Sequence, residues 1–134
     1  KPNFVCCVYA SSPLVQTEDI IKAYKKIKTK KWNFVSSATN YQYPIERSFK
    51  LNKNLRIKMN YPENYKKSSQ SFDNNYHDAG QFYWGKVNSW LSKKNFFDKN
   101  STIQEIPSIR VSDIDTISDW NNALIISKKI LSNE

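Results

Sequence analysis

Glycine, histidine and cysteine are scarce in this 134-residue chain: two glycines, one histidine and two adjacent cysteines. Without a glycine-rich stretch, a self-contained P-loop or dinucleotide-binding loop is excluded, because such loops need small residues where backbone amides approach phosphate. The lone His77 has no serine or cysteine nucleophile pattern beside it, so no hydrolytic dyad is legible. Cys6 and Cys7 point to opposite faces of an expected strand and show neither metal nor disulfide spacing. They are expected to be inert buried thiols in a reducing cytoplasm. The longest apolar runs, residues 4–10 and 123–126, fall far short of the ~20 residues that cross a bilayer. No basic-plus-apolar leader opens the chain. Arginine is confined to Arg47, Arg56 and Arg110.

Enough apolar material remains to bury a core, at 39% hydrophobic and 14% aromatic, and the length suits one domain. The net charge of +9 is unevenly spread. Residues 1–100 carry 18 basic against 7 acidic side chains, and residues 101–134 carry 3 against 5. A basic body beside an acidic tail suits an anionic ligand that also needs a metal ion. Lysines scattered over a solvated surface give the same totals. An RNA- or single-strand-binding module is the alternative from another class. Few arginines and no aromatic-interleaved basic stripe speak against it.

Residues 3–10 (NFVCCVYA) read as a strand covered on both faces. After a Ser-Ser-Pro loop, Thr17 is the expected N-cap of a helix whose Ile20, Ile21, Tyr24 and Ile27 recur at helical spacing. Residues 32–37 form a second strand, giving a βαβ unit and an at least partly parallel sheet. Segments 45–51 and 55–61 flank Asn52-Lys53-Asn54 as a hairpin. Residues 61–75 read as a long polar loop. A third core strand is expected at 81–85, a short helix at 87–91 and a strand at 102–106. A final helix starts at Asp115-Thr116, with Trp120, Ala123, Leu124, Ile126, Ile130 and Leu131 on one apolar side. An apparently central strand so early in the chain suggests further strands upstream, hence a piece of a longer protein.

Three segments carry candidate chemistry. Asp113 and Asp115 stand two apart, so in extended backbone their carboxylates share a side. Paired hard oxygens suit Mg²⁺, which takes one or two carboxylates plus phosphates and waters. Equally, Asp115 or Thr116 caps the following helix. In residues 76–85 (YHDAGQFYWG), Ala79-Gly80 suits close approach of backbone to a ligand, while the aromatics suit a core. Ser11 and Ser12 follow the first strand, where open α/β sheets bind ligands. An ordinary strand-to-helix turn has the same composition.

Taken in order, YASSPL at 9–14, YHDAGQFYWG at 76–85 and RVSDIDTISDW at 110–120 resemble the acylneuraminate cytidylyltransferases, nearest to their pseudaminic acid branch. The resemblance spans nearly the whole chain. It implies an α/β fold of nucleotide-diphospho-sugar transferase type: a three-layer mixed sheet, incomplete at its N-terminus. Residues 1–134 are then one domain fragment, with residues 41–77 as a β-hairpin insertion that builds a homodimer. It further implies a cytoplasmic enzyme that uses CTP and Mg²⁺ to convert a nine-carbon sugar acid to its CMP derivative, releasing pyrophosphate.

Residue by residue, the family's sugar-contact motif falls on Tyr9 to Leu14, with Tyr9 and Ala10 in place of Gln-Pro. Its N-G-A-x-Y segment falls on Ala79, Gly80, Gln81, Phe82 and Tyr83. Its metal pair falls on Asp113 and Asp115. The resemblance thus implies substrate contacts from Tyr9, Ser11, Ser12, Ala79, Gly80, Gln81 and Tyr83, and metal ligation by Asp113 and Asp115. Asp115 orients or deprotonates the attacking hydroxyl, and Arg47 or hairpin lysines meet the sugar carboxylate. The family's arginine- and lysine-bearing triphosphate loop has no counterpart here. A non-catalytic oligomerisation module is therefore the third reading of the fragment by itself.

Overall fold

A computed structural model describes residues 1–132. Two compact units are formed, one from residues 1–39 together with the chain from 78 onward, the other from residues 40–77.

In the first unit, β1 (Phe4–Val8), α1 (Thr17–Lys28), β2 (Phe34–Asn40), β5 (Tyr76–Lys86), α2 (Val87–Leu91), β6 (Thr102–Glu105) and α3 (Ile117–Leu131) build an α/β fold on a mixed sheet. The second unit supplies β3 (Phe49–Leu51) and β4 (Ile57–Met59). Strand order in the main sheet is β1-β5-β2-β6. β1 runs antiparallel to β5, pairing Phe4 with Lys86 and Val8 with Phe82. β2 runs parallel to β6, pairing Val35 with Thr102 and Ala38 with Glu105. The βαβ unit therefore exists in sequence, but β5 lies between its two strands.

Burial follows strand position. β2 is buried along nearly its whole length, and β5 buries Ala79, Gln81, Phe82, Tyr83 and Gly85. β1 behaves differently from the expectation of a doubly covered strand. Val5 and Val8 are exposed, because β5 is its sole partner among the described residues. Ala23, Ile27, Val35, Ala79, Phe82 and Ile106 form the core cluster. Each fully buried Ile or Phe side chain contributes roughly 1.5–3 kcal/mol from area removed from water.

α1 turns inward a face that only partly matches its apolar spacing: Ile27 is in the core cluster and Ile20 packs against it. Asp19, Ala23 and Ile27 are buried, while Ile21 and Tyr24 lie at the surface. The i, i+4, i+8 row is still helical; its first position is a carboxylate because Arg110 meets it. The N-cap is Gln16, with no side-chain bond, rather than Thr17. α3 starts as expected, with Thr116 and Asp119 forming a capping box. Its apolar side is only partly covered. Ala123 is buried, whereas Ile117, Trp120, Leu124 and Ile125 are exposed. The Leu131 side chain lies outside the described residues.

In the second unit, Asn52 Oδ1 accepts from the amides of Asn54 and Arg56, both at 2.9 Å, which closes the expected hairpin turn. The strands are three residues each, shorter than the sequence suggests, since residues 45–47 form a 3₁₀ turn. The expected long loop holds two further 3₁₀ turns, at 62–64 and 69–71.

Candidate functional site

The end of β1 and the first half of β5 meet through backbone and side chain. The Tyr9 amide donates to Gln81 O at 2.9 Å, and Ser12 Oγ donates to Gly80 O at 2.7 Å. Ser12 is buried, so its proton serves this junction, while Ser11 is half-buried beside it. Gly80 has φ +63°, and its amide donates to Asp78 Oδ1 at 2.9 Å. A β-carbon there would meet no atom, so the reason for glycine is the backbone angle itself. Immediately after it, the amides of Gln81 and Phe82 both donate to Ser37 Oγ, at 3.1 and 3.0 Å. A left-handed glycine beside a break in the ladder has the character of a bulge.

Tyr83 is buried and its hydroxyl donates to Asp78 Oδ2 at 2.5 Å. Burial, and then this bond, push its phenol far above the ordinary tyrosine range. It is a fixed neutral group. Its ring stacks on Phe96 at 5.1 Å and meets the half-exposed Tyr9 ring at 5.2 Å. Phe96 in turn contacts Phe34 and Trp90. An aromatic layer thus runs from the core to the surface at Tyr9. Burial pushes the Cys6 thiol up to about 11, in keeping with an unreactive group.

Gln81 is 1% exposed. Its Nε2 donates to Arg110 O at 2.6 Å, and its Oε1 has no partner among the described residues. Arg110 Nη1 donates to Asp19 Oδ2 at 2.6 Å, with both side chains largely buried. These bonds tie the start of the RVSDID segment to β5 and to the first turn of α1. Further along, Asp113 and Asp115 are exposed, and their carboxylates accept no hydrogen bond among the described residues. The amides of Asp115 and Thr116 donate to Asp119 Oδ2, at 3.3 and 2.8 Å. The Asp119 carboxyl is held below its ordinary range by the Thr116 hydroxyl and then the Thr116 amide. Thr116 is therefore the N-cap with Asp119 as its capping-box partner, and Asp113 and Asp115 stay available.

No group of three or more His, Cys, Asp and Glu side chains gathers among the described residues. Two free carboxylates two positions apart fit a Mg²⁺ ion completed by phosphate and water oxygens, and do not fit an all-protein cage.

Arg47 belongs to the second unit. It is exposed, and its guanidinium donates to Lys67 O. It lines an apolar cleft of about 300 Å³ with Phe49, Ile57, Met59 and Tyr65.

Sequence reasoning missed Asp19, Ser37, Asp78 and Phe96. A carboxylate on the inward row of an otherwise amphipathic helix was the one signal that could have found Asp19. Among the described residues, no helix is long and apolar enough to cross a membrane.

No protein-family model matches the chain. Among curated proteins, it is 40% identical over 126 residues to a pseudaminic acid cytidylyltransferase of Campylobacter jejuni serotype O:2, covering 94% of this chain and 54% of the relative. A C. jejuni serotype O:23/36 protein of the same name is 39% identical over the same extent. A Helicobacter pylori protein named pseudaminic acid cytidylyltransferase and UDP-2,4-diacetamido-2,4,6-trideoxy-β-L-altropyranose hydrolase is 27% identical over 113 residues, 84% of this chain and 22% of its own. The chain thus spans about half the length of the first two relatives. Over most of that span it is a homologue of the pseudaminic acid cytidylyltransferases, as its three motifs imply.

Proposed function

We propose that the protein bearing this chain transfers the cytidylyl group of CTP to a nonulosonic acid, pseudaminic acid in preference to its relatives, in the cytoplasm. The observation that carries the reading is the pair Asp113 and Asp115. Both carboxylates are uncommitted on a tethered segment, in a chain 40% identical to a pseudaminic acid cytidylyltransferase.

The C2 hydroxyl of the sugar acid attacks the α-phosphorus of CTP, a C2–O–P bond forms, and the bond to the departing pyrophosphate breaks. Asp115 orients the hydroxyl and takes its proton. Asp113 and Asp115 would hold a Mg²⁺ ion, which when bound would supply charge neutralisation at the phosphoryl oxygens. Ser11 and the backbone around Ala79 and Gly80 face the sugar, with Ser12, Gln81 and Tyr83 holding that surface from behind. Tyr9 presents an aromatic face suited to a deoxygenated, methyl-bearing tail. Arg47 or hairpin lysines meet the sugar carboxylate in a homodimer. The exposure of Phe49, Leu51, Leu55 and Ile57 supports a dimer through the second unit.

Pyrophosphate release from CTP and Mg²⁺ by the full-length protein tests this, with pseudaminic, legionaminic and N-acetylneuraminic acids compared by kcat/KM. Preference for N-acetylneuraminic acid overturns the substrate, and no release with any acid overturns the reaction. The 134 residues alone, lacking a phosphate-cradling loop, are expected to release none.

A further inference from the structure

We infer that Asp19 and Arg110 are positioning residues whose buried ion pair sets the metal-binding geometry of Asp113 and Asp115. The inference rests on the metal-assisted reading above.

The segment from Pro107 to Thr116 has no regular structure beyond one 3₁₀ turn at 108–110. Left to itself, such a stretch samples many backbone states, and two carboxylates on it would share an ion only part of the time. Here it is fastened at both ends. At its start, Arg110 Nη1 meets Asp19 Oδ2 at 2.6 Å while Arg110 O accepts from Gln81 Nε2 at 2.6 Å. Val111 then packs against the core. At its far end, Thr116 and Asp119 close the capping box. Asp113 and Asp115 lie between these fastenings, exposed.

Stability by itself gives little reason for the ion pair. The side chains are 14% and 6% exposed, and replacing a buried pair by apolar residues of similar volume is often neutral or stabilising. What an apolar pair cannot reproduce is direction. A carboxylate at the first turn of α1 and a guanidinium with fixed donors define where residue 110 sits, and residue 110 defines where 113 and 115 begin. Arg110 is the sole arginine of the first unit, so no neighbouring arginine can take its place.

The experiment uses the full-length protein, with Mn²⁺ alone as probe, its binding read by electron paramagnetic resonance without nucleotide. Asp19→Leu combined with Arg110→Met removes both charges together, and a thermal melt reports folding. Expected is a near-normal melt with Mn²⁺ affinity lowered about 10-fold, and a matching rise in the Mg²⁺ concentration needed for half-maximal pyrophosphate release. Arg110→Lys, which keeps a cation on Asp19, should fall between. Asp115→Asn is the control for the metal reading. If Asp115→Asn loses Mn²⁺ while the folded pair variant binds it normally, the positioning role is overturned and the metal site stands. If Asp115→Asn binds Mn²⁺ normally, both fall. Should the pair variant fail to fold, Arg110→Lys decides, and unchanged Mn²⁺ affinity there overturns the inference.

Discussion

The two units use their apolar residues in opposite ways. In the first, Phe34, Val35, Phe82 and Ile106 are at most 1% exposed. In the second, Phe49, Leu51, Leu55 and Ile57 are 57–79% exposed, and Asn64 is the sole buried residue of its regular elements. A two-stranded hairpin is marginal by itself in water. The second unit is shaped instead by local bonds: Asn52 in its turn, Arg47 on Lys67 O, and Asn75 Nδ2 on Glu46 Oε1 at 2.7 Å. One unit holds its shape by what it hides, the other by short-range hydrogen bonding, with apolar surface left for a partner.

The sharpest way to break the contrast is Phe82→Ala, which removes a fully buried ring from the central strand. It should cost about 3–5 kcal/mol, read as a lower urea midpoint, and an effect under 1 kcal/mol would mean the first unit lacks the core described. Next is Asp115→Asn in the full-length protein, expected to lower turnover about 10²-fold with little change in the melt. Undiminished product formation would remove Asp115 from the chemistry.

A smaller effect comes from Cys6, whose folded-state pKa lies near 11 against 9.0 for an ordinary thiol. Because the folded value is raised, the stability it contributes is complete below pH 9 and fades as pH climbs towards 11. Tyr83 acts with the same sign above the ordinary tyrosine range. Urea midpoints should therefore fall across this interval, and less steeply in Cys6→Ala; an unchanged slope counts against the assignment. The least change in stability is expected from Ile57→Lys, within about 0.5 kcal/mol. Sedimentation should nonetheless show weaker self-association, and a stable, fully associated variant would show that the hairpin face is not the contact.

Periodicity and caps made the elements legible where local rules decide. The helix at 87–91 and the Thr116 start of α3 came directly from the sequence, as did the turn at Asn52. The strand at 76–86 was read five residues too short at its start, since polar Tyr76, His77 and Asp78 give no strand pattern. Sheet order was not legible. Nothing local says that β5, roughly forty residues beyond β2, inserts beside β1. At the site, the motifs located the right segments but not the division of labour within them. Whether Ser12 is buried and Ser11 half-buried depends on packing and long-range bonds, and the choice of Thr116 over Asp115 as the cap is made by its box with Asp119.

The hydroxyl of Ser37 has a kinetic meaning of its own. Because it receives the amides of both Gln81 and Phe82, a rotatable side chain stands where a neighbouring carbonyl would normally close the ladder. All three residues are at most 1% exposed, so a χ1 rotation would leave both protons without an acceptor and still away from water. In a deuterium-exchange experiment these two amides would therefore wait for the inner strands to part, and one serine hydroxyl would be protected along with them.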